Sequence, residues 1–193
     1  MAQKRKTDQT KLIVKAALDL AGKSGWSGLT TKAVAKKARL KPDAVAAVFS
    51  DKWDILKYVL KDLELETDRA VKARLGDAWR DNLFEIMMTR LELAALHKKA
   101  FASLPDAFRK EPRAVVTFAR TFWRTMAHML KTASLPGSIC QPAHVAAFGV
   151  LYASVIDAFL KDTTKDHSKT MAVLDQRLGW FQEFVEFSAC RKD

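Results

Sequence analysis

GWSGLTTKAVAKKARLKPDAVAAVFSDK, residues 25–52, governs how the rest of the chain is read. Thr30 or Thr31 offers a side-chain oxygen to cap a short helix running to about Ala38, with Val34 and Ala35 inward. Pro42 suits a first helical position, where its missing N–H has no intrahelical partner to lose. Val45, Val48 and Phe49 then recur at the spacing of an inward helical face. Ser50 or Asp51 caps a longer helix that starts at Trp53. On the other side, Ile13, Ala16, Ala17 and Leu20 make one stripe of a helix from about Thr10 to Lys23, which Gly22 or Gly25 can end. Three short helices followed by a long connector are the layout of a helix-turn-helix unit.

Beyond this stretch, apolar residues recur at three and four along almost all of the 193 residues, and no alternating β-branched run interrupts them. Further helices are expected over about 78–102, 112–132, 142–162 and 168–190, separated by SLPDAF, ASLPGSICQ and KDTTKDH. The predicted fold is all-α, with about nine helices. A tri-helical domain over residues 1–56 precedes a helical bundle over 57–193. Ala143–Leu160 is the most apolar long segment, but His144 and Asp157 interrupt it, so it reads as a buried helix before a membrane span.

Charge is distributed unevenly. Residues 1–61 carry 14 Lys and Arg against 5 Asp and Glu, a net +9, within a total of +11. A basic end on a near-neutral body is the footprint of a domain drawn to phosphates, although an anionic membrane surface attracts it too. Two cysteines, Cys140 and Cys190, have no metal-binding spacing, and MAQKRKTDQT lacks the apolar stretch of a signal peptide, so a reduced, cytoplasmic setting is expected.

The same residues carry a family resemblance. Gly25-Trp26, Thr30, Val34-Ala35, Ala38, Phe49, Lys52 and Leu56, in register without a gap, resemble the TetR family of bacterial regulators. LKDTTKDHSKTMAVLDQRL, after an apolar helix containing Tyr152, resembles a subset of that family more loosely. The resemblance implies a homodimer formed through the helices near 142–162 and 168–190, a small-ligand cavity in the bundle, and double-stranded DNA as partner. The chain departs from the pattern on one surface. Arg39 stands where the family usually has Gly and Lys41 where it has a Ser or Thr cap. Asp43, Ala44, Ala46 and Ala47 replace the usual Gly, Thr, Tyr and His.

Base reading requires hydrogen-bonding groups, or at least a methyl to meet thymine, and the three alanines supply only the methyl. The predicted DNA contacts are therefore mostly to phosphates, from Lys32, Lys36, Lys37, Arg39 and Lys41 around the turn, with Thr30, Thr31 and Lys52 beside them. Lys4, Arg5 and Lys6 are expected to act as an arm over the adjacent groove. Such an alanine-rich helix also resembles the TetR-fold lipid-binding proteins of ubiquinone biosynthesis, which do not read DNA and which engage membranes. Leu174, Leu178, Phe181, Val185 and Ala189, widened by Trp180, Phe184 and Phe187, suit either a buried dimer helix or a membrane-surface helix. Gln182, Glu183 and Glu186 on its polar face favour the former.

Phe84, Met87, Met88, Leu91, Phe118, Phe122, Trp123, Met126 and Met129 fall on two helices and make either an ordinary core or an adaptable wall around an apolar ligand. His97, His128, His144 and His167 are scattered, with no metal-binding pair among them. No nucleophile setting or phosphate-cradling glycine loop appears, so neither an enzyme nor a cofactor is expected. The function expected is a ligand-responsive DNA-binding repressor, with a lipid-binding protein as the alternative.

Overall fold

The computed structural model describes residues 2–136 and 142–190, and their side chains over 7–136 and 142–188. Cys140 and the side chains of Ala189 and Cys190 lie outside the described ones. Periodic apolar sequence gives ten α-helices among the described residues: α1 (Ala2–Ser24), α2 (Thr31–Ala38), α3 (Pro42–Ala46), α4 (Lys52–Val71), α5 (Trp79–Ala95), α6 (Lys98–Ala102), α7 (Leu104–Lys110), α8 (Pro112–Thr132), α9 (Pro142–Lys161) and α10 (Ser168–Cys190). A 3-10 turn, Trp26–Gly28, joins α1 to α2. No strand occurs among the described residues.

The chain forms two compact units. The first comprises residues 1–63 together with 94–116, and the second 64–93 together with 117–193. This division differs from the expected one at 56/57, because the segment carrying α6 and α7 packs with the helix-turn-helix. Trp26, Ile13, Ala17, Val34, Val45, Ile55 and Leu56 are fully buried in this unit. Helix α6 packs on α1 at Gly22, where a Cβ would meet the Ala100 nitrogen and Lys99 Cβ at 3.8 Å, an ordinary contact that leaves room for alanine. The Trp26 N–H donates to Ser103 Oγ at 3.1 Å, and the Ser27 hydroxyl to Asp106 at 3.3 Å.

Three expectations need correction. The first helix starts at Ala2, not near Thr10, so Lys4, Arg5 and Lys6 lie within a helical backbone; their side chains are outside the described ones. The helix expected over 78–102 breaks after Ala95, where His97 leaves helical geometry (φ −124°, ψ 23°). SLPDAF, expected as a loop, opens α7: Pro105 lies in the first turn, where a proline starts a helix as readily as it stops one.

In the second unit, α9 packs along α10. Phe148 and Phe181 meet at 5.6 Å between ring centres, and Leu174, Leu178 and Val185 are buried beside Val145, Leu151, Val155 and Phe159. Helix α9 is long and apolar enough to cross a membrane by composition, yet it carries seven buried residues, including Phe148 and Gly149.

Candidate functional site

The helix-turn-helix is closed by local hydrogen bonds. Thr30 Oγ1 accepts from the Ala33 N–H at 3.2 Å, the cap expected of it. Helix α2 ends with Arg39 in the left-handed region (φ 57°). There the Arg39 N–H donates to the Lys36 carbonyl at 3.3 Å and the Leu40 N–H to the Ala35 carbonyl at 3.0 Å. This pair of bonds is a Schellman closure, the arrangement for which glycine is usual. Lys41 then runs extended into Pro42, the first residue of α3.

The inward side chains, Val34, Ala35, Val45 and Phe49, are buried, and Val48 is half-buried. Outside, Lys32, Lys36, Lys37, Arg39 and Lys41 are exposed, and none has an ion-pair partner among the described residues. Asp43, Ala46 and Ala47 are exposed as well, while Thr31 and Ala44 are half-buried. The α3 surface is therefore apolar methyl and one carboxylate, ringed by unpaired cations.

Lys52 stands apart from that ring. Its ammonium lies 2.5 Å from Glu111 Oε1 and 3.4 Å from the Ser27 carbonyl. Trp53 Nε1 donates to Glu111 Oε2 at 2.7 Å, and the Trp53 ring stacks on Phe108 at 5.3 Å. Hydrogen bonds from Lys52 and then from Trp53 hold the Glu111 carboxyl below the usual glutamate range. Lys52 thus ties α4 to the residue after α7, and its charge is already compensated within the first unit.

In the second unit the methionine and aromatic set divides. Met87, Met88, Leu91, Phe118, Met126 and Met129 are buried, Phe84 is half-buried, and Phe122 and Trp123 are 42% and 43% exposed. The Phe122 ring meets Tyr152 edge-on at 5.9 Å and covers Gly149, where a Cβ would stand 3.1 Å from Phe122 Cε1. Among these side chains is a cation that sequence reasoning missed. Arg90, three residues beyond Met87 on the same face of α5, is only 4% exposed. Its Nε donates to Tyr152 Oη at 3.0 Å, and it has no carboxylate partner among the described residues.

On α10 the long apolar arc also splits. Phe181 faces α9, whereas Trp180, Phe184 and Phe187 are exposed, as is Val150 of α9. Between the two helices lies a groove of about 320 Å³, lined by Val150, Leu151, Trp180 and Phe184 among others. The Arg177 guanidinium covers the Trp180 ring at 4.3 Å. No group of His, Cys, Asp and Glu suited to a metal ion occurs among the described residues.

Neither a family model nor a curated protein matches the sequence. Solved structures do match the fold. The TetR transcriptional regulator from Nitrosomonas europaea aligns with a TM-score of 0.77 at 13% identity, covering 90% of this chain and 97% of that one. The fold is that of the TetR regulators. A TetR transcriptional regulator from Rhodococcus sp. RHA1 aligns at 0.59 with 14% identity, covering 94% and 98% of the two chains. A second Rhodococcus transcriptional regulator aligns at 0.60 with 19% identity, covering 90% and 96%. Within this TetR fold the expected site residues form two groups, the cationic turn in one unit and the methionine-lined interior in the other. Lys52 belongs to neither. The Arg90 signal was present in MMTRLELAA as an arginine on an apolar face, but only tertiary packing shows it lacking a counter-charge.

Proposed function

We propose that this protein is a ligand-responsive, DNA-binding transcriptional repressor that works as a homodimer in the cytoplasm and has no enzymatic activity. The observation that carries the reading is the ring of five exposed, unpaired cations, Lys32, Lys36, Lys37, Arg39 and Lys41, at the turn of a helix-turn-helix. Phosphate contacts of this kind set affinity and register, while sequence preference then comes from DNA shape and from thymine methyl contacts to Ala46 and Ala47. The partner is double-stranded DNA, and the two turns of a dimer would engage half-sites about one helical turn apart, ~34 Å. A small, largely apolar ligand taken up among α5, α8 and α9 would displace α4, change the separation of the turns and release the DNA.

An electrophoretic shift against the gene's own upstream DNA tests this. The protein should prefer that DNA over random duplex, and the preference should fall as salt rises. Replacing Lys36, Lys37 and Lys41 together with Ala should weaken binding and reduce the slope of log affinity against log salt by roughly 0.9 for each phosphate no longer neutralised. An unchanged slope would place the DNA-facing surface elsewhere. One observation favours a second reading, a lipid-binding protein on the same fold: the exposed side of α3 offers Ala46 and Ala47 and no base-reading donor. Absence of any DNA preference, with lipid found by native mass spectrometry of the purified protein, would favour it.

A further inference from the structure

An arginine is almost never fully buried without a counter-ion, because removing an unpaired guanidinium from water costs several kcal/mol. Arg90 is 4% exposed, yet its neighbours one turn away on α5, Ile86, Met87 and Ala94, are apolar and buried. Its one hydrogen-bond partner among the described residues is the Tyr152 hydroxyl, reached through Nε at 3.0 Å. Because that hydroxyl accepts from Arg90, its own proton is left to donate elsewhere. Two kinds of donor, the outer guanidinium N–H groups, which keep an edge to solvent, and the Tyr152 O–H, therefore sit side by side against an apolar wall. Planar, bidentate recognition of an oxyanion is the task arginine performs best.

We propose that Arg90 and Tyr152 form the polar end of a binding site for an amphiphilic carboxylate, whose apolar body is held by methionine and aromatic side chains of α5 and α8. The carboxylate supplies the missing counter-charge. Met87 and Met126 supply an adaptable apolar lining, and Phe122, 42% exposed and edge-on to Tyr152 at 5.9 Å, marks the side from which such a molecule enters. This inference rests on the reading that the second unit takes up a ligand, and it replaces "apolar" with an acid-headed apolar molecule.

The test uses the full-length protein without DNA, so its failure and a failed operator assay are separate results. Octanoate, dodecanoate and 3-phenylpropanoate are titrated calorimetrically, each beside the alcohol of the same skeleton. At least one acid should bind, and more tightly than its alcohol by roughly tenfold or more, the value of one charge-assisted hydrogen bond. Arg90→Met should abolish the preference for acid while raising the melting temperature of the unliganded protein, since a buried unpaired charge is removed. Arg90→Lys, which keeps the charge without the fork, should retain a reduced preference, and Tyr152→Phe should weaken acid binding and leave alcohol binding alone. Equal affinity for acids and alcohols, no binding of any acid, or an undiminished acid preference in Arg90→Met overturns the proposal.

Discussion

Arg39 holds a left-handed backbone conformation, which disfavours any residue with a Cβ by about 1 kcal/mol or more. Glycine would relieve that strain, since the Schellman bonds through the Arg39 and Leu40 N–H groups do not depend on the side chain. Arg39→Gly should therefore raise stability by about 1 kcal/mol in chemical denaturation, while weakening DNA affinity because one cation is removed. A variant that gains stability with undiminished affinity would show that the Arg39 charge does not face phosphate. The alanines of α3 pose the complementary question at the same scale. With Ala44 half-buried and only Ala46 and Ala47 exposed, α3 and its C-cap offer two methyl groups and the Asp43 carboxylate, so under the proposed function DNA affinity would be carried by side chains beside them.

Among the elements, the junction of α9 and α10 depends on one carboxylate. Asp162 accepts from the Thr164 hydroxyl at 2.6 Å and N–H at 2.9 Å, and from the Thr170 hydroxyl at 2.8 Å and N–H at 2.9 Å. These bonds, the Thr164 hydroxyl foremost, hold its carboxyl well below the usual aspartate range. Because the folded value is depressed, the stability it contributes is complete above the unfolded-state value of about 4 and is lost as pH falls toward the folded value. Asp162→Asn should lower the melting temperature at neutral pH and make its fall between about pH 5 and about pH 3 shallower than in the parent. Identical acid slopes in the two proteins would deny Asp162 that role. Helix breaks show the reverse case, where local sequence misleads. Pro105 reads as punctuation but begins α7, and nothing local in ALHKK announces the break at His97.

For the whole molecule, the exposed apolar face of α9 and α10 is the feature that a single chain leaves unexplained. Phe187 is 66% and Val150 74% exposed, beside Trp180 and Phe184. We read this face as the homodimer surface, which a second copy would cover. Trp180→Glu should then weaken self-association by about 2 kcal/mol, roughly thirtyfold, and shift the sedimentation coefficient toward that of a monomer. An unaltered sedimentation coefficient at micromolar concentration would place the dimer interface on other helices. If DNA is bound by two turns at once, the same variant should also lose operator affinity without any change at the turn itself.

How much of this was legible in the chain follows from the range of each interaction. Helical periodicity, the Thr30 cap, the inward set of Val34, Val45 and Phe49, and the concentration of lysine around the turn are local or compositional, so residue order was enough to establish an all-α fold opening on a helix-turn-helix. Bounds near 112–132, 142–162 and 168–190 were legible for the same reason, since the observed helices Pro112–Thr132, Pro142–Lys161 and Ser168–Cys190 carry their own punctuation. Which charges are compensated and which remain bare emerged from packing alone. Lys52 looked available beside the turn, yet Glu111, 59 residues away, neutralises it; Arg90 drew no notice in the sequence, yet the packing of α5 with Tyr152 of α9 buries it without an acid. Pairing and burial of charge depend on segments distant in sequence, and no local pattern encodes a distance between them.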